Sequence, residues 1–226
     1  MDAQVKRLNK LLEQSFKTLL QSADLSRGVF VTGTDTDVGK TWLGCHLIQY
    51  LISQGFDIAP RKPVESGWSD DISQTDAWKL ATAANKQDQL DIICPNRFKA
   101  PISPARAARL ENTAISLQQL KQQCLAQLQD HQMLYIEGAG GFYSPLCEDA
   151  LNADLCMALT LPVVLIAEDK LGCINQVLLS VEAIETRGLT LIGVVLNKID
   201  KSPSASDQNN LEDLRERLKC VIISTG

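Results

Sequence analysis

Residues Gly28–Gly44 read GVFVTGTDTDVGKTWLG, and this stretch decides the fold. A short apolar run, Val29–Val31, enters a loop of glycine, threonine and aspartate that ends in Gly39-Lys40-Thr41. A helical pattern follows from Lys40 to Gln54 and stops at Gly55, a helix-ending glycine. Strand, Gly-Lys-Thr and helix in that order form a phosphate-binding loop. Backbone N–H groups at the helix start surround phosphate oxygens, Lys40 bridges the outer phosphates, and the Thr41 hydroxyl serves Mg2+. The spacing departs from the common form, because Gly33 stands one residue further from Gly39 than G-x-x-x-x-G-K-T requires. A plain glycine turn before a helix is the bland alternative, and Gly-Lys-Thr at a strand-to-helix junction argues against it.

The pattern continues outward from the loop. Short apolar runs at Phe56–Val64, Met133–Ile136, Pro162–Ala167, Leu191–Leu196 and Val221–Ile223 read as strands. Helical spacing occupies 74–86, 104–129, Asn175–Thr186 and 210–219. The alternation predicts an α/β fold: a P-loop NTPase-like three-layer sandwich with a mostly parallel central sheet flanked by helices. Ligands collect at the carboxyl ends of such strands. Here those ends read GTDTDVGKT, RKPVESG, EGAGG, AEDKLGCIN and NKID. Ahead of all this, Val5, Leu8, Leu11, Leu12, Phe16, Leu19 and Leu20 give residues 1–24 one apolar helical face. That stretch is expected to be a helical extension packed on residues 25–226, a single domain, or on a partner subunit.

Composition narrows the class. The chain has 226 residues, 45% of them apolar, and a formal charge of −5 with no basic stripe. A full core is expected, and nucleic acid is not an expected partner. The seven cysteines form no C-x-x-C pair, and only two histidines are present. Free thiols, a reducing compartment and no zinc site follow as expectations. With no apolar run of membrane-spanning length and no signal-type start, no membrane partner is expected and the location is expected to be cytoplasmic.

Candidate side chains sit at the strand exits. Glu137, ending the Met133–Ile136 strand, is the natural carboxylate for Mg2+, which takes one or two carboxylates beside phosphate oxygens. Asp76 is either a second such carboxylate or a helix N-cap. Lys62, in RKPVESG, is placed to stabilise transition-state charge beside phosphates or is a surface lysine. EGAGG admits close backbone approach or is a tight turn. Gly172-Cys173-Ile174-Asn175 offers helix-start N–H groups to a carboxylate, or Asn175 is an N-cap. Asn197–Asp200, NKID, is similar to the guanine-reading N-K-x-D of GTP-binding proteins.

Taken together the segments resemble the dethiobiotin synthetase family. That family's P-loop reads G-T-D-T-x-V-G-K-T with the same displaced glycine, and KPVESG, TDA, APISP, EGAGG and KLGCIN follow in order. The resemblance implies an ATP-dependent ligase that carboxylates 7,8-diaminononanoate with CO2 and closes the ring of dethiobiotin, with Mg2+ as cofactor. It implies a homodimer with the substrate site at the interface. The nucleotide is expected on Asp37, Val38, Gly39, Lys40, Thr41, Trp42 and Asn197. The metal is expected on Thr41, Asp76 and Glu137. Catalysis is expected from Lys62, Lys40 and Thr36, and substrate contacts from Thr36, Lys62, Ser66, Gly141, Cys173, Ile174 and Asn175. Where the family has histidine after Ser103-Pro104, this chain has Ala105, and NKID opens the question of guanine alongside adenine. A GTPase-like switch would need a D-x-x-G where EGAGG stands, and a partition-type ATPase would need a lysine where Thr34-Asp35-Thr36 stands.

Overall fold

The computed structural model describes residues 3–21, 23–199 and 209–226. The first half of the chain contains α1 (Ala3–Leu20), β1 (Gly28–Gly33), α2 (Lys40–Ser53), β2 (Asp57–Arg61), β3 (Val64–Ser66), α3 (Asp76–Ala83), α4 (Leu90–Ile93), β4 (Asn96–Phe98) and α5 (Pro104–Leu110). The second half contains α6 (Leu117–Leu125), β5 (Gln132–Gly141), α7 (Asn152–Leu159), β6 (Val163–Glu168), α8 (Cys173–Thr186), β7 (Leu191–Asn197), α9 (Asn210–Arg217) and β8 (Val221–Ser224).

Six strands pair in the order β2-β5-β1-β6-β7-β8, every pair parallel. Alternation sends successive side chains to opposite faces. Val29 and Val31 join Leu43, Leu47, Ile48 and Leu51 of α2 on one face, while Phe30 joins Val177, Val181 and Ile184 of α8 on the other. The three-layer α/β sandwich read from the sequence is therefore the observed fold. Parallel pairing also puts every strand's carboxyl end on one edge, and β1, in mid-sheet, delivers the P-loop there.

The sheet spans about 24 Å between its outer strands at roughly 4.8 Å per step, wider than α2 and α3 together cover at about 10 Å each. The remainder lies under α1. Leu12, Phe16 and Leu19 of α1 are buried in the same cluster as Val195 and Ile223 of β7 and β8, and Phe16 meets Tyr50 of α2 at 5.8 Å between ring centres. Burying each such side chain stabilises the fold by about 1.5–3 kcal/mol. No helix among the described residues is long and apolar enough to cross a membrane.

Several expected elements have different bounds. The helix expected over 104–129 is two, because Asn112 takes a left-handed φ of 51° after α5 and Ser116 restarts the chain by capping Gln119 N–H. The strand expected over Phe56–Val64 divides at Lys62-Pro63. Lys62 N–H donates to Ile93 O, proline has no N–H to donate, and β3 leaves the sheet to pair with β4. The third strand runs on past Ile136 through EGAGG to Gly141. Helix α8 starts two residues before Asn175, at Cys173. Asp200 of NKID lies outside the described residues.

Candidate active site

The P-loop geometry explains its displaced glycine. The loop folds back over Gly33, where a Cβ would fall 2.8 Å from both Asp35 O and Val38 Cγ2. Thr34, one residue on, already carries a side chain and is half-buried. At the other end Gly39 has φ 89°, a left-handed conformation that side chains resist, and it opens α2 directly. Lys40 is buried and folds over the loop, its Nζ donating to Asp35 O at 2.7 Å. Burial, reinforced by the neighbouring Lys62, lowers the Lys40 pKa to about 8.

Next to the loop, four side chains come together from the start of α2, the β2–β3 junction, the start of α3 and the middle of β5. Thr41 Oγ1 donates to Glu137 Oε1 at 2.7 Å. Lys62 Nζ donates to the same Oε1 at 2.6 Å, to Asp76 Oδ2 at 3.2 Å and to Gly138 O at 3.4 Å. Burial works against the Lys62 charge, but Glu137 and Asp76 outweigh it and hold the ammonium above the usual lysine range. Burial likewise opposes the Asp76 carboxylate, and Lys62 overrides it, so the Asp76 pKa falls. Glu137 is fully buried, and its second oxygen, Oε2, has no hydrogen-bond partner among the described residues.

This orphaned oxygen tests the fit of a metal. No group of three or more His, Cys, Asp or Glu side chains forms a metal cage among the described residues. A P-loop Mg2+ does not need one, since it takes one or two carboxylates and completes its shell with phosphate oxygens and water. Thr41 Oγ1, the Asp76 carboxylate and Glu137 Oε2 are hard oxygen donors beside the phosphate loop, and the set fits Mg2+.

Local structure settles two alternatives left by the sequence. The N-cap of α3 is Thr75, whose Oγ1 accepts from Trp78 N–H, so Asp76 is the first helical residue and its carboxylate is available to the site. The N-cap of α8 is Gly172 at φ 90°, so Asn175 is not a cap. Cys173 is buried and its N–H donates to Lys170 O, while the N–H groups of Ile174 and Asn175 donate to no backbone carbonyl of a described residue.

The remaining expected residues sit around this centre. Thr36 and Asp37 are exposed on the loop, with Thr36 Cγ2 3.8 Å from where a Cβ on Gly140 would be. Val38 is buried. Trp42 is 41% exposed and packs on His46 at 4.5 Å between ring centres. Gly141 lies beside Gly33 in the sheet, close against Thr34 O. Ser66 ends β3 and, like the α8 start, makes no hydrogen bond to the Lys62 network. Asn197 is 5% exposed, and its Nδ2 donates to Val38 O at 3.0 Å.

Two supporting residues were not singled out from the sequence. Glu65, buried in KPVESG, accepts from Asp76 N–H at 2.8 Å and Ala77 N–H at 2.9 Å, so a carboxylate holds the positive start of α3 and fixes Asp76. Asn152 is fully buried, accepts from Ala139 N–H, and donates to Ala139 O, Gly141 O and Ser144 O. That amide ties the EGAGG stretch to the start of α7. The only sequence signal for Glu65 was its place between two site residues.

A family model described as an AAA domain matches residues 27–224. The ATP-dependent dethiobiotin synthetase BioD of Anaeromyxobacter dehalogenans is 43% identical over 172 residues, covering 76% of this chain and 77% of that protein. The chain belongs to the dethiobiotin synthetase family. The BioD of Bacillus licheniformis is 36% identical over 191 residues, covering 84% of this chain and 81% of that one. Among solved structures, the kinase domain of the Escherichia coli tyrosine kinase ETK is similar at a TM-score of 0.48 and 14% identity, over 82% of this chain and 72% of that one. As a dethiobiotin synthetase family member the chain is an enzyme of the ligase class with an ATP-binding P-loop. The matched span begins after α1, whose Leu12, Phe16 and Leu19 nonetheless fill the core beside it.

Proposed function

We propose that this enzyme carboxylates 7,8-diaminononanoate and closes it to dethiobiotin, using CO2 and ATP. The observation that carries the reading is the Lys62 ammonium set between Glu137 and Asp76, one side chain from Thr41 of the P-loop. A reaction that joins an anion to a phosphoryl group needs a fixed positive charge at that point.

In the proposed sequence one substrate amine adds to CO2 and loses a proton, giving a carbamate. A carbamate oxygen attacks the γ-phosphorus of ATP, and ADP leaves. The second amine then attacks the carbonyl carbon, its C–N bond replaces the C–O bond to phosphate, and phosphate departs as the ring closes. Lys40 exchanges Asp35 O for phosphate oxygens. Lys62 exchanges a carboxylate for the carbamate and γ-phosphoryl oxygens, whose negative charge attracts it in the same way. Thr36, Ser66 and Gly141 line the substrate side, and the N–H groups of Ile174 and Asn175 suit the substrate carboxylate. Mg2+, held by Thr41, Asp76 and Glu137, supplies charge neutralisation on the phosphates. The remaining work is positioning. A homodimer in the cytoplasm, with α8 offered to the neighbouring subunit's substrate, belongs to the same reading.

Brief incubation with 18O-labelled bicarbonate tests the chemistry. The mixed anhydride predicts one 18O in the released phosphate. Unlabelled phosphate formed alongside dethiobiotin would rule it out.

A further inference from the structure

We infer that Thr225 is a positioning residue of the nucleotide site, fixing the Asn197 amide and through it the Val38–Gly39 turn of the P-loop for either purine nucleotide. The inference rests on the ATP-using part of the reading above and not on the diamine substrate.

Thr225 follows β8 and is held to β7 by its N–H, which donates to Leu196 O at 3.0 Å. Its hydroxyl oxygen accepts from Lys198 N–H at 3.0 Å. The single hydroxyl proton is then directed to Asn197 Oδ1, 3.1 Å away. An asparagine amide can face either way, and its neighbours decide which. With Oδ1 held by a donor, Nδ2 must face Val38 O, a pure acceptor, and it does so at 3.0 Å. Asn197 and Thr225 are 5% and 8% exposed, so neither end of this chain exchanges freely with water. The amide also fills the space above Gly39, where a Cβ would lie 2.1 Å from Nδ2. Four hydrogen bonds of 3.0–3.1 Å thus tie the outer edge of the sheet to the turn that presents the phosphate-binding N–H groups.

The same bonds limit what Asn197 can read. One amide hydrogen and one carbonyl lone pair are committed within the protein, leaving one N–H on Nδ2 and one lone pair on Oδ1. The remaining N–H suits N7, which adenine and guanine share, and the turn that Asn197 holds faces phosphates common to both nucleotides. Asn197 then serves both purines through the loop it holds.

The test uses the full chain and equilibrium binding of ATP and of GTP, each with Mg2+, by calorimetry. Thr225→Val removes the hydroxyl at nearly constant volume. Both affinities should fall about tenfold and by the same factor, the scale of a buried hydrogen-bond network losing one member. Thr225→Ser should restore them to within about twofold, and Thr225→Val should add less than about twofold in an Asn197→Ala background. Thr225→Ala takes the place of valine if circular dichroism finds the valine variant unfolded. Unchanged affinities would overturn the inference. So would a serine variant as weak as valine, an undiminished effect in the Asn197→Ala background, or a loss for one nucleotide several-fold larger than for the other. A failure of the diamine to yield product would sink the substrate assignment while leaving these affinities as they stand.

Discussion

Replacing Lys62 by methionine separates a structural role from a catalytic one. Methionine keeps the buried stem and deletes the ammonium. Glu137, fully buried, loses its 2.6 Å counter-ion and keeps only the Thr41 hydroxyl. Asp76 is affected less, since its side chain is 39% exposed and turns to water. Breaking a buried pair from one side costs about 3–5 kcal/mol. The partial exposure of Asp76 puts this case near 3 kcal/mol, a melting shift of roughly 6–12 °C for a chain this size. The assay is urea unfolding followed by tryptophan fluorescence. Lys62→Met/Glu137→Gln, which removes the stranded charge while keeping an acceptor for Thr41, should recover at least about half of the loss. The pH dependence has a definite sign. Lys62 has its pKa raised on folding, so its contribution is complete below the ordinary lysine pKa of 10.5 and fades only as pH rises above it. The Lys62 contribution to wild-type stability should therefore be constant from about pH 6 to 9. A loss under about 1 kcal/mol, or a double variant no more stable than the single, would refute the ion-pair account.

Further outcomes follow from neighbouring groups. Lys40 has a pKa of about 8 without nucleotide, and bound phosphates restore its charge, so ATP binding at pH 8 should take up about half a proton, read by calorimetry in buffers of different ionisation enthalpy. Uptake should vanish in Lys40→Met, and its persistence there would assign it elsewhere. Phe16→Ala should cost about 3 kcal/mol or more in urea unfolding, since α1 covers the β7–β8 side of the sheet; a change below about 1 kcal/mol would mean that α1 is dispensable. Asn152→Ala leaves several strand and loop groups without their partner and should cost about 2–3 kcal/mol, with protection of the Ala139 amide lost in hydrogen exchange. Retained protection would contradict its part in holding EGAGG.

What the sequence revealed and what it concealed have physical reasons. The strands of the main sheet were legible because a parallel sheet buried on both faces makes them apolar throughout. Lys40 and Thr41 were legible because a strand exit fixes their neighbourhood, and Glu137 because it ends the apolar part of β5. Asp76 was ambiguous, since an aspartate at a helix start has two uses, and only the adjacent Thr75 hydroxyl decides between them. The β3–β4 pair was hidden, since three-residue strands carry no period. Glu65 and Asn152 were hidden because each acts on backbone groups distant in sequence. The Asn197 tether depends on Val38, 159 positions away, and no local pattern announces it.

The most direct test of the central claim is product formation. The protein is incubated with 7,8-diaminononanoate, bicarbonate, Mg2+ and ATP, beside Lys40→Ala, and dethiobiotin is sought by mass spectrometry. The account predicts dethiobiotin with wild type and at least about a hundredfold less with Lys40→Ala, the scale of losing a charge that stabilises the transition state. ATP binding without dethiobiotin, or equal product from Lys40→Ala, would contradict it.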